Sequence, residues 1–288
     1  MKTLLKTGTL SLICVVGLFG FNIPLQSEEN TNRNAQGSKT GDSISNPIIT
    51  IIYDNYPYGE GIATDWGFSC VVQGAEKTIL FDTGGKSPIL LANMEKQGIT
   101  PKDINLIVFS HIHDDHTGGI SGFLEINPKV TIYTPQSFPD TFKEMVRNSG
   151  AKLIEIKKPV QICKGVYVSG EIGTAIVEQA LLLRTDRGLI VITGCAHPGI
   201  VPMVERGRRV VAEDVLCVLG GFHLLNTGAD SLKTIIQNLK TLGVRYVAPT
   251  HCTGDNQRQF FEKEFGDRYI KIGAGKVLTM NDFGGLKR

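Results

Sequence analysis

The chain has 288 residues, 41% apolar and 20% charged, with 33 glycines and a formal charge of +2. That apolar share excludes a disordered chain, and the near-balanced charge gives no reason to expect nucleic acid as a partner. Six cysteines are too few for a disulfide scaffold, and the size suits one large domain or two small ones.

Residues 1–27 read as a leader. Lys2 and Lys6 supply a basic start, and 9–25 is a charge-free run broken by Gly17, Gly20 and Pro24. So short a run fits a signal peptide, and hence export to the periplasm or medium, better than a membrane span. The alternative is an uncleaved N-terminal anchor, the chain's one contact with a membrane. Residues 28–46 hold a single large apolar side chain, Ile44, and read as a flexible polar linker. The folded domain is therefore expected at 47–288.

Within it, β-branched and aromatic runs predict strands over 49–53, 68–73, 78–81 and 106–109, with a helix over 88–97 stopped by Gly98. A second series predicts strand 130–133, helix 140–148 and strands near 166–169, 175–183 and 189–193. A third predicts helix 201–206, strand 215–219, helix 231–242, strand 244–248, helix 257–265 and a last strand near 276–279. Asp230 or Ser231 is the expected cap of the long helix, with Gly243 beyond its end. Many strands with helices between them imply an α/β layered domain with mixed sheets.

The six histidines decide the chemistry. An apolar strand runs into Ser110-His111-Ile112-His113-Asp114-Asp115-His116-Thr117-Gly118-Gly119, three imidazoles and two carboxylates within six residues. Crowding those groups without a partner is costly, and a divalent cation is the natural partner. His111 and His113 face the same way in an extended strand end, whereas the adjacent Asp115 and His116 must diverge, which suits two metals. Gly118 and Gly119 let the backbone turn away. His197, His223 and His251 each follow an apolar run, so all six share one context at strand ends. Asp82, in Phe81-Asp82-Thr83-Gly84-Gly85, either forms a turn or orients a ligand from behind.

These motifs resemble the metallo-β-lactamase superfamily, whose His-x-His-x-Asp-His pattern is matched by His111, His113, Asp115 and His116. Gly194-Cys195-Ala196-His197-Pro198-Gly199, Gly220-Gly221-Phe222-His223 and Pro249-Thr250-His251-Cys252 resemble its dihydropterin-aminobenzene-phosphate synthase-like (dihydropteroate-synthase-like) branch. The resemblance implies an αββα sandwich of two mixed sheets flanked by helices, with the site along one edge. It implies His111, His113 and His197 on a first metal, and Asp115, His116 and His251 on a second. His223 departs from the pattern, because most hydrolytic relatives carry a bridging Asp at that point. A neutral imidazole cannot bridge two cations as a carboxylate does. His223 therefore either binds one metal terminally or aims a proton at the substrate.

The expected function is that of a metal-dependent hydrolase acting on a small molecule, most simply a phosphoester or phosphodiester. Alternatives are a lactone or carboxylic ester hydrolase, and a non-catalytic metal- or ligand-binding member of the fold. Asp115 would accept a water proton while remaining a ligand, and His223 would serve the developing anion or leaving group. Nitrogen and oxygen ligation suits one or two Zn²⁺ ions and would also accept Mn²⁺ or Fe²⁺. Cys195 and Cys252 flank presumed ligands and read as small buried hydrophobes. Lys86 and Ser87 read as a solvated helix start, and Trp66 with the stretch 53–58 as either a turn or a pocket wall.

Overall fold

The computed structural model describes residues 43–284; the expected leader and most of the expected linker lie outside them. In chain order the elements are β1 (Ile48–Asp54), β2 (Phe68–Gln73), β3 (Ile79–Phe81), α1 (Ser87–Lys96), β4 (Leu106–Val108), α2 (Asp114–Thr117) and α3 (Ile120–Ile126). Then come β5 (Thr131–Pro135), α4 (Asp140–Asn148), β6 (Lys152–Ile156), β7 (Val160–Cys163), β8 (Val166–Val168), β9 (Leu181–Thr185) and β10 (Gly188–Thr193). The chain closes with α5 (Ile200–Val211), β11 (Val215–Gly221), α6 (Ala229–Thr241), β12 (Tyr246–Thr250), α7 (Asp255–Phe265) and β13 (Val277–Leu278). None of these helices is long and apolar enough to cross a membrane.

The strands form two mixed sheets, ordered β13-β1-β2-β3-β4-β5-β6 and β12-β11-β10-β9-β8-β7. Alternation along each strand builds three apolar layers. Ile49, Ile51, Phe68 and Cys70 of the first sheet meet Leu181, Ile190, Ile192 and Leu219 of the second. The opposite face of the first sheet carries Val71, Leu80 and Ile107 under Leu90, Met94 and Phe123 of α1 and α3. The opposite face of the second carries Leu189, Val191 and Val218 under Met203, Ile236 and Phe261 of α5, α6 and α7. The result is the expected αββα sandwich. Strands buried on both faces read as continuous apolar runs, which is why the central ones are legible.

Four expectations change. The segment near 175–183 is a strand only from Leu181; upstream, Glu178 and Gln179 spend their side chains on other loops, as described below. The domain begins before Pro47, since the Ile44 N–H donates to the Arg184 carbonyl (2.8 Å) and its side chain is 4% exposed. Neither Asp230 nor Ser231 caps α6, whose N-cap is Gly228 with no side-chain bond. The final strands start later than expected, at Tyr246 and Val277.

Candidate metal centre

Parallel pairing of β3 with β4 and of β10, β11 and β12 with one another sends their C-terminal ends to one rim. The chain must turn sharply there. Of five non-glycine residues with positive φ among the described residues, four are Asp82, Ala196, His223 and His251 at this rim. Such strain is held only where surrounding contacts enforce it. Gly118 and Gly119 keep ordinary negative φ, so their role is close approach: a Cβ on Gly119 would overlap the Thr83 carbonyl.

The rim brings all six histidines together. Ring centroids of His111 lie 4.8 Å from His113, 4.2 Å from His116 and 4.7 Å from His197. His251 lies 5.0 Å from His116, and His223 lies 4.2 Å from His197. Behind them, Asp82 is fully buried and accepts three hydrogen bonds from two residues. Its Oδ1 accepts the Ser110 N–H (2.7 Å), and its Oδ2 accepts the Ser110 hydroxyl (2.7 Å) and His116 Nδ1–H (2.8 Å). The Ser110 Oγ, having donated to Asp82, accepts His111 Nδ1–H at 2.9 Å. His251 Nδ1–H donates to Asn55 Oδ1 at 3.0 Å. Each of these bonds fixes the tautomer that leaves Nε2 as a lone pair toward the rim.

Those lone pairs converge. His111 Nε2 and His113 Nδ1 are 3.2 Å apart, and Asp115 Oδ2 is 3.3 Å from His251 Nε2 and 3.6 Å from His116 Nε2. Two donors bound tetrahedrally to one cation stand about 3.3–3.7 Å apart. His197 Nε2 and His251 Nε2 are buried without a hydrogen-bond partner, a costly arrangement that a cation would relieve. Asp115, His116, Cys195 and His251 have donor atoms all within 4.8 Å of one another, as do His111, Cys195 and His197. The residues present therefore fit divalent metal on both sides of the rim.

The electrostatics agree. Burial, reinforced by neighbouring imidazoles, holds His111 well below the usual histidine range, and burial beside His223 lowers His197 to about 4. Both are neutral at pH 7, the form in which an imidazole can donate to a cation. Burial would lower His116 too, but Asp82 outweighs it and raises its pKa. For Asp115 burial is opposed more strongly by His251 and His116, which hold it below the carboxylate range and keep it anionic. Below pH 6.5 unfolded His197 takes up a proton that the folded residue refuses until about pH 4. Metal-free protein should therefore lose melting temperature relative to His197→Gln as pH falls from about 6.5 toward 4. Parallel melting curves for the two proteins would sink this reading.

Two residues were missed in the sequence, and two were misread. Glu178 is fully buried and accepts the backbone N–H groups of Gly194, Cys195 and Ala196 on Oε1 (3.1, 3.0 and 2.9 Å) and that of His197 on Oε2 (2.8 Å). It thereby shapes the loop that carries His197. Asn55, which orients His251, was read only within the stretch 53–58, as either a turn or a pocket wall. Cys195 and Cys252 are buried as expected, yet they are more than packing: Cys195 Sγ lies 3.2 Å from His116 Nε2. His223 is exposed, and its donor atom falls with Cys195 and Cys252, outside both imidazole groups. Lys86 meets Asp65 in an ion pair at 2.5 Å, and exposed Trp66 leans on His251 at 4.9 Å.

Beside His197 and His223 opens a cavity of about 360 Å³, lined chiefly by Ala196, Ile200, Phe222 and Leu224. It supplies an apolar berth next to the donor cluster.

The sequence profile of the metallo-β-lactamase superfamily matches residues 67–251. Among curated proteins, the chain is 30% identical over 280 residues to 7,8-dihydropterin-6-methyl-4-(β-D-ribofuranosyl)-aminobenzene-5′-phosphate synthase of Methanocaldococcus jannaschii, covering 80% of this chain and 95% of that one. Among solved structures it is similar to a metal-dependent hydrolase of the β-lactamase superfamily, with a TM-score of 0.66 and 27% identity over 81% of this chain and 98% of that one. The metallo-β-lactamase fold protein YhfI of Bacillus subtilis (TM-score 0.62, 14% identity, 82% and 100% coverage) matches in fold.

Proposed function

The chain belongs to the metallo-β-lactamase superfamily, and on that premise we propose that it is a metal-dependent hydrolase of a small phosphoester or phosphodiester. One observation carries this reading: two groups of convergent donors stand side by side on an open rim, one of them holding an anionic aspartate. Such a pair could clamp both the entering and the leaving oxygen of a phosphoryl centre. His111, His113 and His197 would hold one ion and Asp115, His116 and His251 the other, with Zn²⁺ the natural choice and Mn²⁺ or Fe²⁺ as substitutes. Bound there, divalent ions lower the pKa of water and polarise the oxygen that gains charge.

The remaining work falls to side chains. Asp115 turns Oδ2 toward His251 and His116, which leaves Oδ1 to accept a proton from the attacking water. A hydrogen bond with Cys252 raises the pKa of His223 against the opposing effect of burial. His223 thus holds a proton more readily than a free imidazole, on the exposed rim beside the apolar cavity, where a leaving group would depart. His223→Ala should therefore lower kcat about 10²-fold with little change in KM or metal content. A change confined to KM would assign His223 to binding. Export, or anchoring through the leader, is part of the same proposal and is supported by the basic start and charge-free run of residues 1–25.

A second reading is favoured by the Methanocaldococcus relative, whose name describes a synthase: the rim would join a dihydropterin-type ring, activated by a leaving group on its 6-methyl carbon, to an aminobenzene-ribofuranosyl phosphate. The leaving group would depart with its bonding electrons, and one proton would go to solvent. The apolar cavity would receive a flat ring. Turnover of bis(p-nitrophenyl) phosphate, a p-nitrophenyl carboxylate ester and a lactone by metal-loaded and chelator-treated protein tests the choice. Metal-dependent diester cleavage is expected. Cleavage of the carboxylic ester or lactone alone would reassign the substrate class, and two bound metals with no hydrolysis would favour the synthase.

A further inference from the structure

The charge balance of the rim is incomplete. Asp115 is the only carboxylate in the donor groups found among the described residues, and every other oxygen or nitrogen donor is an imidazole. One negative charge would face two dications held close together, whose repulsion falls off slowly in a site where three of the ligand side chains are fully buried. A second anion is needed between them, and His223, whose imidazole is never anionic here, cannot supply it.

Cys195 is placed to do so. Its sulfur is the one atom shared by both groups, lying within 4.8 Å of the donors of His111 and His197 on one side and of Asp115, His116 and His251 on the other. Its 3.2 Å separation from His116 Nε2 is close to that of two ligands on one ion. The residue is 3% exposed, and its backbone is fixed from behind by the bond from its N–H to Glu178. A Cβ on the preceding Gly194 would overlap the Ser110 hydroxyl, so the loop can approach β4 this closely only with glycine there. Cys252 sits behind, its thiol directed at the Cys195 carbonyl at 3.7 Å, and belongs to neither imidazole group.

The geometry points to Cys195 as a bridging thiolate between the two metals. This inference rests on the metal-centre reading above. On binding, the Cys195 S–H bond breaks, its proton leaves to solvent, and the sulfur lone pairs go one to each ion. A shared thiolate biases the site toward Zn²⁺ or Fe²⁺ and against Mn²⁺, which prefers oxygen.

Cobalt titration of the reduced full-length protein tests this without reference to activity. Wild type should take up two equivalents with a near-ultraviolet sulfur-to-cobalt charge-transfer band. The band should vanish in Cys195→Ser, with the second equivalent weakened at least about tenfold, and persist in Cys252→Ser. Zinc absorption spectroscopy of wild type supplies a readout that needs no variant, should Cys195→Ser fail to fold. A bridge gives about one sulfur per zinc at about 2.3 Å, and a terminal thiolate half that. Two cobalts with no band, a band that follows Cys252, or half a sulfur per zinc would overturn the bridge and leave the metal centre standing. No cobalt uptake at all would overturn the metal centre itself.

Discussion

Asp115→Asn is expected to lower kcat/KM by about 10³- to 10⁴-fold, or about 4–5.5 kcal/mol of transition-state stabilisation. The amide keeps the size and one oxygen of the carboxylate but removes the charge, and its NH₂ cannot act as a ligand. Oδ2 now lies 3.3 Å from His251 Nε2 and 3.6 Å from His116 Nε2, so the substitution puts either a neutral oxygen or an N–H group between two lone pairs. The second equivalent of metal should be lost or markedly weakened, while the His111, His113 and His197 side keeps its own. Asp115 is partly exposed on the rim, so its surface-screened pairing adds only about 1 kcal/mol or less to stability. The melting temperature of the metal-free protein should scarcely move. Steady-state kinetics and metal analysis on one preparation check this. Full activity with two metals bound would mean that Asp115 is neither ligand nor proton acceptor.

The position of that aspartate is legible in the sequence alone, and the reason is physical. Imidazoles and carboxylates packed against the end of an apolar strand have few explanations, and the end of a strand lies at the rim of its sheet. The central strands were equally legible, since burial on both faces leaves runs such as Leu189–Thr193 almost wholly apolar. The edge strands β6 and β7 were not: Lys152, Glu155, Val160 and Gln161 face solvent or lie near it, and such sequences resemble loops. Nor was α2, because a helix of four residues is too short to show a period. Side-chain aim was the deeper gap. Burial of Cys195 is consistent with packing and with ligation alike, and only the position of its sulfur separates the two. Glu178 left a clue that could have been used. A lone acid in the run Ala175-Ile176-Val177-Glu178-Gln179-Ala180-Leu181 cannot be buried without donors, so it had to find some. It found four amides, and Gln179 meanwhile donates to the Phe109 carbonyl (2.8 Å), which together pull the segment out of the sheet.

Glu178→Gln should accordingly be the most destabilising single isosteric change near the site. Burial raises the pKa of Glu178 against the pull of the amides. It remains an anion at neutral pH all the same, because both oxygens are taken by N–H donors and neither has an acceptor to which an acid O–H could turn. In the glutamine, Oε1 can still serve Gly194, Cys195 and Ala196, but the NH₂ then confronts the His197 N–H, donor against donor. Losing one charged hydrogen bond and leaving a buried N–H unsatisfied costs about 2–4 kcal/mol. For a domain of this size that is a melting temperature lower by about 4–16 °C. The damage should not be uniform across the rim. His197 rides on the disturbed loop, whereas Asp115 and His116 are carried by α2 and His251 by the end of β12, so metal affinity should fall more on the His111 side. Excess zinc, binding only the folded protein, should recover part of the lost stability. Differential scanning with and without zinc, beside a metal titration, reads all three effects. A melting temperature within about 1 °C of wild type would mean that the four amides find other partners and that Glu178 does not shape the loop.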